Sequence, residues 1–294
     1  LTDNEMRQIA KDAVTSAVGY IDYNAYDIAP NDGYLQQWEL HIFVVVAGYE
    51  SSYDGITNYA VWAHNWSLDG IGAPTLDTVV IGDYAHYGSY SEAGESHSSH
   101  QATIGTLIHE LGHDLGNPDL YDTDYSSEGV GQWSVMSSGN WNQVGSYPGD
   151  SPAHFDAFLK SYMGWLVPSP FTYFNNQPIL QAETSPAAFR LGSNPGGIDW
   201  DWNVTSGTGE YFLVENRQKT GYDAGLPGCG LLVWHIDESV IYDNDANTNE
   251  DHALVWLEQA DGMNHLHHPT GVSTGGNPGD NNDPFPGATV GNHD

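Results

Sequence analysis

Basic residues are scarce. Six Lys+Arg stand against 39 Asp+Glu in 294 residues, a formal charge of −33. A phosphate backbone needs Lys and Arg to displace its counterions, so general nucleic-acid binding is excluded. Docking on anionic lipid through a basic patch is excluded for the same reason. Cysteine is almost absent as well. The single Cys229 rules out an intrachain disulfide and is expected to be a small buried hydrophobe. Long apolar runs are missing: the longest, Ile42–Ala47, falls far short of the roughly 18–20 residues of a membrane span. No basic segment followed by an apolar stretch opens the chain, which starts at Leu1 rather than Met. The expectation is a processed piece, with any export signal or propeptide outside it. Aromatics are plentiful by contrast. With 10 Trp, 18 Tyr and 8 Phe, the chain has too much core material to be disordered.

The acidity is uneven. Asp outnumbers Glu by 26 to 13, and no Lys or Arg falls between Lys11 and Lys160. One reading is a surface kept solvated in salty water, as in a marine or halophilic source. The other is calcium ligation by some of the Asp residues. Both can hold.

Periodicity gives the order of elements. Met6, Ile9, Ala10, Ala13, Val14, Ala17 and Val18 recur at three-and-four spacing and predict a helix over 5–18, with Thr2 and Glu5 as a capping box. The β-branched run over 40–47 predicts a buried strand, and 78–81 another. Ile104, Leu107, Ile108, Leu111 and Leu115 form the apolar stripe of a second helix, stopped by Gly116 and Pro118. A third helix is expected after Pro152, with Phe155, Phe158, Leu159, Tyr162 and Met163 as its stripe. Pro168 and Pro170 mark a boundary. Beyond them 210–215, 230–236 and 253–258 read as strands between Gly, Pro, Asn and Asp clusters. The last 25 residues read as irregular. No internal repeat is evident.

The strongest chemical signal is His109-Glu110-Leu111-Gly112-His113. Two His at i and i+4 share a helix face, so both imidazoles reach one metal ion, and Glu110 projects beside it as a general base. Gly116 and Asp119 extend the pattern to H-E-x-x-H-x-x-G-x-x-D. A Gly there allows a sharp exit from the helix, with φ > 0, so that Asp119 can return as third ligand. For this composition the five-residue pattern arises by chance with a probability of about 3%, and the extended one about 0.03%. A helix face with scattered His and Glu is therefore a poor account of it. Catalytic zinc takes three protein ligands and keeps one open position; His109, His113 and Asp119 fill that count, with Glu128 or Asp122 as competitors for the third place. Two imidazoles and a carboxylate suit Zn²⁺, with Fe²⁺, Co²⁺ and Mn²⁺ as lesser options. The segment 134–139 carries Met136, placed as in the Met-turn that accompanies such motifs.

The run from His109 to Asp122 resembles the signature of the immune inhibitor A family of secreted bacterial metalloproteases. The segments 134–141, 151–165, 210–218, 226–237, 258–262 and 283–287 agree with it in order. The resemblance implies a metzincin-like α+β fold, with an active-site helix and a mixed sheet followed by a β-rich C-terminal portion. It implies a catalytic region over 1–168, and 169–294 as a portion packed on it or completing it. It also implies a secreted zinc endopeptidase made as a zymogen with a propeptide, acting on proteins or peptides, with Asp119 where most metzincins have a third His. The family often has a D-x-D/N-x-D-G-like stretch after the first helix. Here Asp27, Asn31 and Asp32 are candidate calcium ligands, though Pro30 interrupts the pattern and an Asx-rich surface turn is the alternative. A monomer is expected.

Other residues carry weaker signals. Some metzincins place a Tyr two residues after the Met-turn Met to steady the oxyanion; Ser138 stands there, leaving Tyr121 and His154 as substitutes. His97 with His100, and His265 with His267 and His268, are candidates for further metal sites, against a loop rim and a solvated tail. His64 and His235 read as packed polar residues, and Asp237 with Glu238 as a second calcium candidate. The rival functions are a non-catalytic metal-binding or adhesion protein, and a metal-dependent hydrolase of a non-peptide substrate.

Overall fold

The computed structural model describes residues 1–54, 60–171, 178–201, 206–240, 246–270 and 275–287. The chain forms two compact units, Leu1–Leu115 and Gly116–Asp294. Helices and sheets are mixed in an α+β arrangement.

The first unit opens with α1 (Asp3–Ala17). Its capping box is complete: the Thr2 hydroxyl accepts the Glu5 amide at 3.3 Å, and the Glu5 carboxylate accepts the Thr2 amide at 2.8 Å. Met6, Ala10 and Val14 are its buried positions, one per turn, as the period requires. Then follow β1 (Tyr34–Leu35), β2 (Phe43–Glu50), the single turn α2 (Ser51–Asp54), β3 (Ala60–Val61), β4 (His64–Trp66), β5 (Thr75–Leu76), β6 (Val79–Ile81), β7 (Tyr90–His97), β8 (His100–Gln101) and α3 (Ile104–Asp114). One sheet has the order β1-β6-β5; the other has β3-β2-β7-β4, with β8 paired to β7. β2 runs parallel to β3 and β7, while β4 and β8 are antiparallel to β7. Ala10, Val14, Tyr23, Leu35, Leu68, Val79, Ile81 and Tyr90 form a core. The strand expected to be buried over 40–47 sits slightly later and is covered on one side. Val44 packs on that core while Val45 is 58% exposed, because successive side chains of a strand point to opposite faces.

The second unit contains α4 (Ala157–Tyr162) and one sheet, from β9 (Ser169–Pro170), β10 (Phe189–Leu191), β11 (Glu210–Arg217), β12 (Gly230–Asp237) and β13 (Val255–Glu258). Its order is β13-β12-β11-β10-β9. The third helix starts later than Pro152 suggests. Asp156 caps it, its buried carboxylate accepting the Leu159 amide at 3.0 Å and the Ser134 hydroxyl at 2.8 Å. That leaves 152–156 outside the helix. Cys229 is exposed, not buried as expected: it lies in the turn before β12 between Gly228 and Gly230, whose backbones press on Asn281, Pro284 and Phe285.

The inner face of β11 buries ions as well as hydrocarbon. Arg217 is fully buried. Its Nε and Nη2 donate to the two oxygens of Asp223, both at 2.6 Å, and its Nη1 to Glu215 at 3.1 Å. Lys160 of α4 donates to the other Glu215 oxygen at 2.6 Å, and the Trp234 indole to Glu215 Oε1 at 3.1 Å. Burial pushes the Glu215 carboxyl up, but the Lys160 and Arg217 charges outweigh it and hold it below the usual range. Asp223 is held down by Arg217 against burial in the same way.

Candidate metal centre

The helix that carries the two histidines buries its polar side. Gly105, Thr106, His109, Glu110, Gly112 and Asp114 are the buried residues of α3, while Ile104 and Leu111 are each 37% exposed. The apolar stripe predicted the helix but not the covered face. Gly105, Thr106 and Gly112 are small enough to let the backbone approach closely, and hydrogen bonds hold the rest. Ser91 Oγ of β7 donates to the Glu110 carbonyl at 3.0 Å. Asp114 accepts the Ser89 hydroxyl at 2.7 Å and the Asn65 amide at 3.5 Å, and pairs with His41 Nδ1 at 2.5 Å. Burial pushes the Asp114 carboxyl up, against the bonds from Ser89 and His41 that lower it. Sequence reasoning missed Asp114; its place directly after His113 was the signal available. One turn apart on this braced helix, the His109 and His113 rings lie 4.8 Å apart at 89°.

The chain leaves α3 through Gly116 at φ +87°, the left-handed conformation that glycine adopts without strain. The following loop is held at both carbonyl and amide. Leu120 donates its amide to the Met136 carbonyl at 2.7 Å, and its own carbonyl accepts Val130 N–H at 3.0 Å and Asn247 Nδ2 at 3.1 Å. Gly129 lies so close that a Cβ there would fall 2.2 Å from the Leu120 oxygen. Met136 itself is fully buried, and the Asn117 amide reaches Met163 Sδ at 3.2 Å.

The ligand atoms of His109, His113 and Asp119 all lie within 4.8 Å of one another. Two imidazoles and a carboxylate form a donor set that fits a catalytic transition-metal ion of the zinc type. The competing carboxylates are engaged elsewhere. Asp122 accepts the amides of Asp124 and Ser127 and the Ser126 hydroxyl, and Glu128 accepts the Thr270 amide at 2.6 Å.

The remaining candidates are placed as follows. Asp27 accepts the amides of Asp32 and Gly33, and the Asn31 amide donates to the Asp27 carbonyl; among the described residues no metal-holding group includes them. The same is true of His97 with His100, and of Asp237 with Glu238. His97 stacks on Tyr53 at 4.3 Å. Asp237 takes His252, and the Glu238 carboxylate accepts the amides of Asp199 and Trp200 and the Asn194 side chain. His64 is buried, bonded to the Trp62 carbonyl and Tyr90 hydroxyl, and burial pushes its imidazole down to about 4. His235 is half-exposed and stacks on Phe212. His154 is engaged through its backbone, donating to Asp223 and accepting from Val135. Tyr121 is half-buried beside Asp122. His267 packs on the Trp256 indole, while His265 lies near Asp280 instead.

The family model described as immune inhibitor A peptidase M6, catalytic domain, matches residues 3–166. The chain belongs to that family. Curated relatives agree. The chain is 29% identical over 170 residues to immune inhibitor A of Bacillus thuringiensis subsp. alesti, covering 53% of this chain and 24% of the relative. It is 30% identical over 200 residues to the pre-pro-metalloprotease PrtV of Vibrio cholerae serotype O1 (strain M66-2), covering 65% of this chain and 21% of that protein. The chain thus spans about a quarter or less of the length of these relatives. The peptidase M6 match includes α3, Asp119 and Met136, and membership in a metallopeptidase family implies a metal. No helix among the described residues is long and apolar enough to cross a membrane.

Proposed function

We propose that the chain is a secreted, metzincin-like zinc endopeptidase that cleaves protein substrates, with a catalytic region over 1–168 and a β-rich portion over 169–294 that completes it. The observation that carries this reading is the convergence of His109, His113 and Asp119 within 4.8 Å, with Glu110 next to the first ligand on the same helix. Zinc, when bound, supplies Lewis acidity that activates water near neutral pH and polarises the scissile carbonyl. The chain's own residues do the rest. His109, His113 and Asp119 would hold the ion. Glu110 takes the proton of the attacking water at its carboxylate and returns it to the leaving amine. The Ser91 bond to the Glu110 carbonyl fixes the backbone that carries this carboxylate and so limits its reach. The net charge of −33 favours encounter with cationic peptides at low ionic strength.

The test is digestion of an unbiased peptide mixture, read by mass spectrometry, with the native chain and with Glu110→Ala. Cleavage by the native chain should stop with a zinc chelator and return with added Zn²⁺. The variant should keep its zinc and lose turnover by at least about 100-fold. Native-level cleavage by Glu110→Ala, once contaminating proteases are removed, would refute the role given to Glu110.

A further inference from the structure

Asp261, His265 and Asp280 are the second group among the described residues whose ligand atoms all lie within 4.8 Å of one another. All three are half-buried and belong to the second unit. His265 Nδ1 is shielded from solvent and has no hydrogen-bond partner among the described residues. It stands 3.6 Å from Asp280 Oδ2, too far for a hydrogen bond. Two ligands about 2.0–2.1 Å from one tetrahedral zinc ion are themselves about 3.3 Å apart. The observed spacing is therefore close to that of a pair bridged by a metal.

The carboxylates are already aimed. Asp261 Oδ1 accepts the Met263 amide at 2.9 Å. Asp280 Oδ1 accepts the Asn282 amide at 2.7 Å, and Oδ2 accepts Asn277 Nδ2 at 3.1 Å. Such outer bonds orient ligands and narrow their freedom before a metal arrives. An imidazole in the set argues against calcium and magnesium, which take oxygen ligands.

We propose that Asp261, His265 and Asp280 form a structural site for a zinc-type divalent cation, separate from the His109 group. The ion would tie the turn after β13 to the segment 277–283. Both segments hold the strip 128–133, which leads into Met136. The Leu266 carbonyl accepts the Glu128 amide at 2.9 Å, the Pro278 carbonyl accepts the Gln132 amide at 2.7 Å, and Asp283 accepts the Trp133 indole at 3.1 Å. The proposal does not rest on peptide hydrolysis.

The test uses the whole chain, loaded with Zn²⁺, freed of excess metal and read by elemental analysis. The native chain should hold about two zinc ions and His113→Ala about one. His113→Ala combined with His265→Gln and Asp280→Asn should hold none. In the His113→Ala background, zinc should raise the thermal midpoint, and the added pair of changes should abolish that rise. His265→Gln alone, with a native circular-dichroism spectrum, should lose one ion of two, which guards against misfolding in the triple variant. Zinc content unchanged by His265→Gln, a His113→Ala chain indifferent to zinc, or a site that takes calcium in preference to zinc would each overturn the assignment.

Discussion

Glu92 should make the stability of the first unit fall as pH rises. It lies on β7, fully buried, opposite Val44 of β2 and His64 of β4. The nearby Glu50 is fully buried too, but it is satisfied: its Oε1 accepts the Ser52 amide and hydroxyl and the Ala63 amide, and its Oε2 accepts the Gly94 amide. Neither oxygen of Glu92 has a partner among the described residues. Burial, and then the charge of Glu50, push the Glu92 carboxyl from 4.5 up to about 8. The folded chain therefore keeps a proton that the unfolded chain has released. A raised carboxyl pKa gives stability that is fully present below the unfolded value and is lost as pH climbs through the folded one. The gap between 4.5 and about 8 sets a ceiling of about 5 kcal/mol; relaxation and water penetration around buried charges bring the expected effect to about 2 kcal/mol. Glu92→Gln removes the titration while keeping the shape. Denaturant midpoints of both chains at pH 5 and pH 9 measure it. The two should nearly agree at pH 5, and the variant should be more stable by about 2 kcal/mol at pH 9. Parallel pH profiles would refute the argument.

Two further predictions concern the second unit. Arg217→Met leaves Asp223 buried without its cation and weakens the hold on Glu215, so stability should fall by about 3–5 kcal/mol in urea titration. Gly129→Ala sets a methyl against the Leu120 carbonyl at a residue with φ +58°. It should cost about 2 kcal/mol or more and, because Leu120 follows Asp119, weaken zinc binding in a competition titration with a chromophoric chelator.

Much of this was readable because it is local. The Thr2–Glu5 box and the three-and-four stripe of α1 are decided within one helix. The His pair of α3 and the left-handed exit at Gly116 follow from helix geometry alone. Strand β7 was invisible. Its sequence YSEAGESH has no hydropathy alternation, because it buries Ser91 and Glu92. The covered face of α3 is hidden for the same reason, since hydropathy favours Leu111 over Asp114, whose partners His41, Asn65 and Ser89 come from distant parts of the chain. The late start of α4 depends on Asp156 and its long-range partner Ser134. Asp261 and His265 meet Asp280 across 14 intervening positions or more, with nothing in the intervening sequence to announce it.

The loop that follows α3 is tied down by residues made much later. Leu120 waits for Asn247, Glu128 for Leu266, Gln132 for Pro278 and Trp133 for Asp283. A growing chain emerges from its N-terminus, so a ribosome that has just released Asp119 has not yet made any of these later anchors. The bracing of the proposed third ligand thus waits until Asn247, 127 positions after Leu120, has been made. Until then the nascent chain carries the paired histidines without the full framework that steadies their partner, a delay built into the order of the sequence.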